Sequence, residues 1–202
     1  MNNPGRPKGT IKTVKYMNPD ELDRFLLTAK KIGMKENFMF TLMYDLALRI
    51  GELKQITLED INQDAKQIHI RALKGGITKW ESVTDKTWRK YLKWIKVRRK
   101  LRNPENPYLF PHRFFASSPI THDGISFLFQ KVCKRAGLKR KFSCHSLRHS
   151  LAMTLVRKKE NAVTISQELR HRAISSSQEY FAMDEAELGA ERARAIKEAI
   201  IK

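Results

Sequence analysis

Over its 202 residues the chain carries 41% hydrophobic and 30% charged side chains, enough apolar content to bury a core and too much for a disordered polymer, at a length that fits about one domain. Forty Lys and Arg against 21 Asp and Glu leave a formal net charge of +19, a self-repulsion that calls for a polyanionic partner, nucleic acid first. No run approaches the ~18 uncharged apolar residues that span a bilayer, Met1 is followed by polar residues rather than an apolar signal core, and Cys133 and Cys144 are too few for a disulfide framework. A cytoplasmic protein with packed, reduced thiols and no membrane partner is expected.

Residues 1 to 17 hold Gly5-Arg6-Pro7-Lys8-Gly9 and further lysines with little to anchor them, and predict a flexible basic arm. Asn18-Pro19-Asp20-Glu21 is a helix start: a cap, a proline at the first position and acids in the first turn. Leu22, Phe25, Leu26 and Ala29 follow at helical spacing, and Gly33 ends the helix. From Glu36 to Leu48 apolar residues nearly encircle the next helix, which predicts a central position, and a short helical turn runs through Leu53. Between Ile61 and Val83 the period changes to two, interrupted by Lys74-Gly75-Gly76, the pattern of a small antiparallel hairpin or meander. Thr84 or Asp85 caps a helix with Trp88, Tyr91, Leu92 and Ile95 on one stripe and a basic remainder that includes Arg89, Lys93 and Arg98. Loops at 103–107 and 117–121 precede a helix from His122 to Ala136, stopped by Gly137. A basic run, Lys131 to Lys141, leads to a helix with Leu147, Leu151, Leu155 and Val156. Two shorter helices and a separate amphipathic segment from Asp184 to Lys202 complete the chain. The expected class is mainly α with a small antiparallel β-sheet (α+β), divided into an arm (1–17), a catalytic domain (18–183) and a C-terminal helix (184–202).

Four clusters can carry chemistry: Arg49 with Glu52, Lys74 at a glycine-flanked strand end, His145 with Arg148, and His171 followed nine positions later by Tyr180. Their order and wording resemble the tyrosine recombinase (phage integrase) family. Arg49-Ile50-Gly51-Glu52-Leu53 is similar to its R-x-x-E-L motif, His145-Ser146-Leu147-Arg148-His149 to its H-x-L-R-H motif, and Ile165 to His171 with Ser175 to Tyr180 to its closing histidine-then-tyrosine pattern. The resemblance runs from about Asn18 to Tyr180 and implies that family's catalytic-domain fold.

By resemblance, Tyr180 attacks a DNA phosphate, forming a 3′-phosphotyrosine and freeing a 5′-hydroxyl. Arg49 and Arg148 hold the non-bridging oxygens, a task suited to guanidinium forks that stay charged. His145 is the candidate base or an extra phosphate donor, His171 a second donor, and Lys74 the acid for the departing oxygen, with Lys79 as the alternative. Glu52 orients Arg49 or a histidine. The resemblance implies no cofactor and no metal: positioning and charge neutralisation by arginines serve phosphoryl transfer, and His145 with His149, one turn apart, lack a third ligand. Arg6, Lys8, Lys79, Arg89, Lys93, Lys131, Lys134, Arg135, Lys139, Arg140 and Lys141 are the expected DNA contacts, Arg6 by an AT-hook-like insertion into the minor groove or else within a solvated tail.

The sequence departs from the family pattern at three places. Arg170 occupies the position where the family usually has glycine, one that asks for positive φ at a helix end. The Lys74 hairpin is longer than usual. Only 17 residues precede the expected catalytic domain, so the sequence looks like a minimal type lacking the N-terminal clamp domain, similar to fimbrial-switch invertases. The implied partners are double-stranded DNA, three further copies of the chain in a tetramer on two sites, with the C-terminal helix packed in cis or on a neighbour, and accessory DNA-bending proteins at the nucleoid. The rival readings are a catalytically silent DNA-binding protein and a type IB topoisomerase.

Overall fold

The structure is a computed structural model that describes residues 15–73, 77–171 and 173–200. Asn18 caps helix α1 (Pro19–Ile32) by accepting from the Glu21 N–H, and the Glu21 carboxylate accepts in return from the Asn18 N–H, a reciprocal capping box. The expected arm boundary lies too far along the chain: Tyr16 and Met17 are buried, and the Met17 N–H donates to Ser150 Oγ at 2.8 Å. Helix α2 (Met34–Asp45) is buried on all sides from Asn37 to Met43, as its encircling apolar pattern predicts. Phe25, Phe40 and Phe129 meet with ring centroids 4.8 to 5.8 Å apart, which locks α1 and α2 to helix α5 (His122–Arg135).

Helix α3 (Ile50–Gln55) follows, then a three-stranded antiparallel meander of β1 (Ile61–Asn62), β2 (Gln67–Ile70) and β3 (Lys79–Ser82), with Ile68 opposite Glu81 and Ile70 opposite Lys79. Thr84 caps helix α4 (Asp85–Arg98). The buried stripe of α4 is Trp88, Tyr91 and Trp94, and Leu92 is exposed, because Trp94 finds both a ring, Phe110, and a carbonyl, Leu109 O at 3.0 Å. Arg98 is likewise drawn inward from the expected basic face. Its guanidinium donates to the Pro104, Asn106 and Tyr108 carbonyls and pins the loop after α4.

Helices α6 (His145–Arg157) and α7 (Ala162–Glu168) precede α8, a continuous helix from Ser175 to Ile200. The expected break before Asp184 is absent: Asp184 and Glu187 face Arg157 of α6 at 3.6 and 3.0 Å, so the acids continue the helix and tie it down. No helix of the described residues is long and apolar enough to cross a membrane. Cys133 and Cys144 are buried free thiols whose pKa values burial pushes up to about 12.

Four helix ends share one closure. After α2, α5, α6 and α7, the residues Ala47, Gly137, Lys159 and Arg170 take φ of 46°, 64°, 63° and 51°. In each case the next residue's N–H reaches back five positions, as Leu48 to Met43 O and His171 to Ser166 O. One of the four is glycine. Two of the others, Ala47 and Arg170, meet at the site described next.

Candidate functional site

Arg49 is the residue from which α3 starts. Its backbone N–H and its Nη1 donate to the two oxygens of Glu52, at 2.9 and 2.6 Å, which fixes the guanidinium at the helix start with its side chain 31% exposed. A Cβ at Gly51 would meet the tip of the Leu73 side chain, in the segment after β2. A cleft of about 490 Å³ opens beside this motif, lined by Arg49, Gly51, Leu73, Gln130, Ser143 and His145.

Helix α6 carries the second motif. Arg148 is buried and donates Nη1 to Ala47 O at 2.6 Å and Nη2 to Leu169 O. Burial, then Arg49 and Arg170, lower its pKa to about 10, so it stays protonated at neutral pH. The left-handed turn at Ala47 is what aims that carbonyl at it. His145 opens the helix one turn earlier, and loss of surrounding water, then Arg148 and Arg49, push its imidazole below the usual range.

Tyr180 lies in the second turn of α8, 4% exposed among Met153, Leu169 and Met183. Burial pushes its phenol above 10, and Arg148 and Arg49 pull the other way with the smaller effect. The phenol is therefore neutral and needs a proton acceptor to act as a nucleophile. His149 Nδ1 is 2.8 Å from the Tyr180 hydroxyl, and the His149 and His145 ring centroids are 5.8 Å apart. Sequence reasoning names His149 as the last residue of the H-x-L-R-H motif and as half of a metal pair, and gives it no part in moving a proton. The signal that points to it is its i+4 spacing from His145, which puts both rings on one face of α6.

His171 follows Arg170 out of α7, with Nδ1 3.1 Å from Ser177 Oγ of α8. Burial first, then Arg148, Arg49 and Arg170, push its imidazole down to about 4. A histidine kept neutral by the fold leaves the unfolded chain to take up the proton between pH 6.5 and about 4, so stability falls as pH drops through that window. Thermal melts across it are expected to show a larger loss for the parent than for His171→Gln.

Arg170 makes four side-chain hydrogen bonds. Its guanidinium, 0% exposed, donates to Leu46 O (2.8 Å), Ala47 O (3.2 Å), Glu52 Oε2 (3.1 Å) and Glu81 Oε1 (2.9 Å). Burial pushes the Glu52 carboxyl up, but the Arg49 N–H, Arg170 and the Arg49 guanidinium outweigh it and hold the group below the usual carboxylate range. The turn before His171 thus keeps its positive φ with arginine in place of glycine.

The structure brings together Arg49, Glu52, His145, Arg148, His171 and Tyr180. Lys74, Arg6 and Lys8 lie outside the described residues. Lys79 pairs with Glu81 at 3.3 Å on β3. Arg89, Lys93, Lys134, Arg135, Lys139 and Lys141 are exposed and Lys131 is half-buried. Arg140 differs from the free cation expected: it grips Glu21 of α1 through two nitrogens and donates to Tyr16 O at 3.2 Å, because the turn after α5 brings it against the α1 capping box. Among the described residues no group of three or more His, Cys, Asp or Glu side chains is placed to hold a metal.

The tyrosine recombinase XerC of Vibrio atlanticus is 26% identical over 173 residues, 84% of this chain and 54% of its own length. XerD of Listeria monocytogenes is 25% identical over 181 residues, 86% of this chain and 60% of its own. The chain therefore spans a little over half the length of these curated relatives. Among solved structures, XerA recombinase superposes with a TM-score of 0.76 at 20% identity, covering 91% of this chain and 66% of that one. XerH site-specific recombinase bound to a palindromic difH substrate matches at 0.76 and 23%, covering 93% and 54%. These show the same fold: mainly helical, with a small antiparallel sheet. The narrower likeness to fimbrial-switch invertases is not shown by these relatives. The sequence profile described as the phage integrase family matches residues 15–187, nearly the whole of what folds around the site, and the chain belongs to that family.

Proposed function

We propose that the protein is a site-specific DNA recombinase that cuts and rejoins DNA through Tyr180, without a cofactor. The observation that carries the reading is the burial of one tyrosine hydroxyl beside a histidine, within the electrostatic reach of Arg49 and Arg148. The Tyr180 oxygen attacks the scissile phosphorus, the P–O5′ bond breaks, and the 3′-phosphate remains on the tyrosine while the 5′-oxygen takes a proton. Arg49 and the unspent donors of Arg148 neutralise the non-bridging oxygens. His149 takes the phenolic proton when its Nδ1 is the unprotonated nitrogen, and His145 and His171 act as further donors to the phosphate. The lysine of the β2–β3 hairpin, Lys74 or else Lys79, supplies the proton to the leaving oxygen. Because the phosphotyrosine keeps the energy of the phosphodiester, the reverse attack by a 5′-hydroxyl reseals a strand with no external energy source. Family membership and the likeness to a recombinase bound to its DNA substrate support DNA as the partner, and a tetramer on two sites in the cytoplasm, at the nucleoid and with accessory bending proteins, belongs to the same proposal.

A nicked duplex randomised around the break, from which the cleaved fragment diffuses away, tests this. Denaturation-resistant adducts mapping by mass spectrometry to Tyr180 support it, and tight salt-sensitive binding without adducts removes it in favour of a silent DNA-binding protein. Two marked duplexes then distinguish strand exchange from topoisomerase-like relaxation.

The exposed cations of the α5–α6 connection provide a second check. Replacing Lys139 and Lys141 with Ala is expected to lower the slope of log K against log salt by about 0.9 for each phosphate that the variant no longer neutralises. Arg140→Ala, whose charge is spent on Glu21, is expected to leave the slope unchanged and lower the melting temperature.

A further inference from the structure

Arg170 adopts, at φ 51°, a conformation that glycine enters freely and side-chain-bearing residues resist. What it gains there is position. From the end of α7 its guanidinium reaches acceptors in three separate segments: the turn after α2 (Leu46 O, Ala47 O), helix α3 (Glu52) and strand β3 (Glu81). Three of these acceptors are shared with groups of the candidate site. Glu52 holds Arg49 by both its backbone and its side chain. The Ala47 carbonyl also accepts from Arg148. Glu81 pairs with Lys79, and both lie on strand β3. The next residue in the chain is His171.

We propose that Arg170 is a positioning residue: one buried guanidinium that sets the relative placement of Arg49, Arg148, His171 and strand β3 with its Lys79. The inference rests on the recombinase reading above. Arg170 is fully covered, so it acts through Glu52, Ala47 and Glu81. Only a planar fork can serve two carbonyls and two carboxylates in different directions at once, and lysine lacks that geometry. Buried ion pairs stabilise little relative to apolar filling of the same space, so the gain from a charged side chain here lies in orientation.

The test compares Arg170→Gly, Arg170→Lys and Glu81→Gln with the parent in three measurements: thermal melts, salt-dependent DNA binding, and single-turnover adduct formation on the nicked duplex. Arg170→Gly relieves the backbone and is expected to fold and to bind DNA within about threefold of the parent, yet to form adducts about 10- to 100-fold more slowly, the scale on which small misplacements cost rate. Arg170→Lys recovers part of that loss. Glu81→Gln, at the edge of the sheet, slows adduct formation with little change in melting, a split that a merely structural role does not give. The Nε–H resonances of Arg49 and Arg148, followed by NMR without DNA, are expected to shift and broaden in the folded Arg170→Gly protein. Should the parent form no adduct at all, the recombinase reading fails and those resonances alone decide the inference. Parental adduct rates with unshifted resonances in Arg170→Gly overturn it, as do parental rates in both Arg170→Lys and Glu81→Gln if Arg170→Gly does not fold.

Discussion

The Tyr180→Phe protein is expected to form no covalent DNA adduct at any time point while binding the same duplexes within about twofold of the parent's affinity, since phenylalanine keeps the ring and loses only the oxygen. The ring belongs to the buried cluster that includes Met153, Leu169 and Met183, and phenylalanine fills the same space, so the substitution creates no cavity. It removes the hydroxyl's bond to His149, worth about 1 kcal/mol, and a shift of that size in urea unfolding is the companion measurement. Adducts surviving in this variant would move the nucleophile elsewhere among the five tyrosines. Of the four others, the Tyr16 hydroxyl is held by Glu187 and Arg157, that of Tyr44 lies against Thr154, and Tyr91 is buried in the main core, which leaves half-buried Tyr108 as the alternative to check.

Glu52→Ala should give the largest loss of stability. Its carboxylate is 1% exposed and accepts from the Arg49 N–H, Arg49 Nη1 and Arg170 Nη2. Removing it leaves the buried Arg170 cation with Glu81 as its remaining anion and strips the start of α3 of its cap. Breaking a buried pair from one side costs about 3–5 kcal/mol, a large share of the roughly 5–15 kcal/mol that holds a domain folded. The urea midpoint is expected to fall with the slope unchanged. The direction with pH follows from the depressed carboxyl: the folded state holds Glu52 ionised where the unfolded chain, near 4.5, would protonate it. That stabilisation is complete above the unfolded value and is lost as pH falls through the lower folded one, a window that opens inside the lower end of the His171 window and extends below 4.5. Glu52→Gln should therefore flatten the acid end of the parent's stability curve.

Much of the frame was legible because its signals are local. Asn18, Pro19 and Glu21 spell a capping box within four residues, Gly137 marks a left-handed helix end, and the three motifs that carry the site each lie within a few positions of a helix terminus. What escaped sequence reasoning depends on distant partners. Arg98, Arg140 and Arg170 read as surface cations or as an awkward substitution until the fold supplies carbonyls and carboxylates from 6 to 124 positions away. Leu92 and Trp94 compete for one stripe of α4, and the ring and carbonyl waiting across the core decide for Trp94. The acids at 184 and 187 look like the start of a new helix in isolation, and only Arg157 makes them part of the old one. His149 needed the position of Tyr180, 31 residues on, to acquire a meaning.

The continuity of α8 has a mechanical consequence. A helix of 26 residues is a rod about 39 Å long at 1.5 Å per residue, and it carries Tyr180 near one end. Between Asp184 and Glu187 the rod is bolted to Arg157, where Tyr16 is fastened too. With the bolt about 6 to 10 Å from the tyrosine, a tilt of about 10° around it sweeps the phenol through about 1 to 2 Å, more than the slack in a hydrogen bond. Whatever pushes on the far end of this lever, or tugs on the chain just before Tyr16, sets the aim of the hydroxyl.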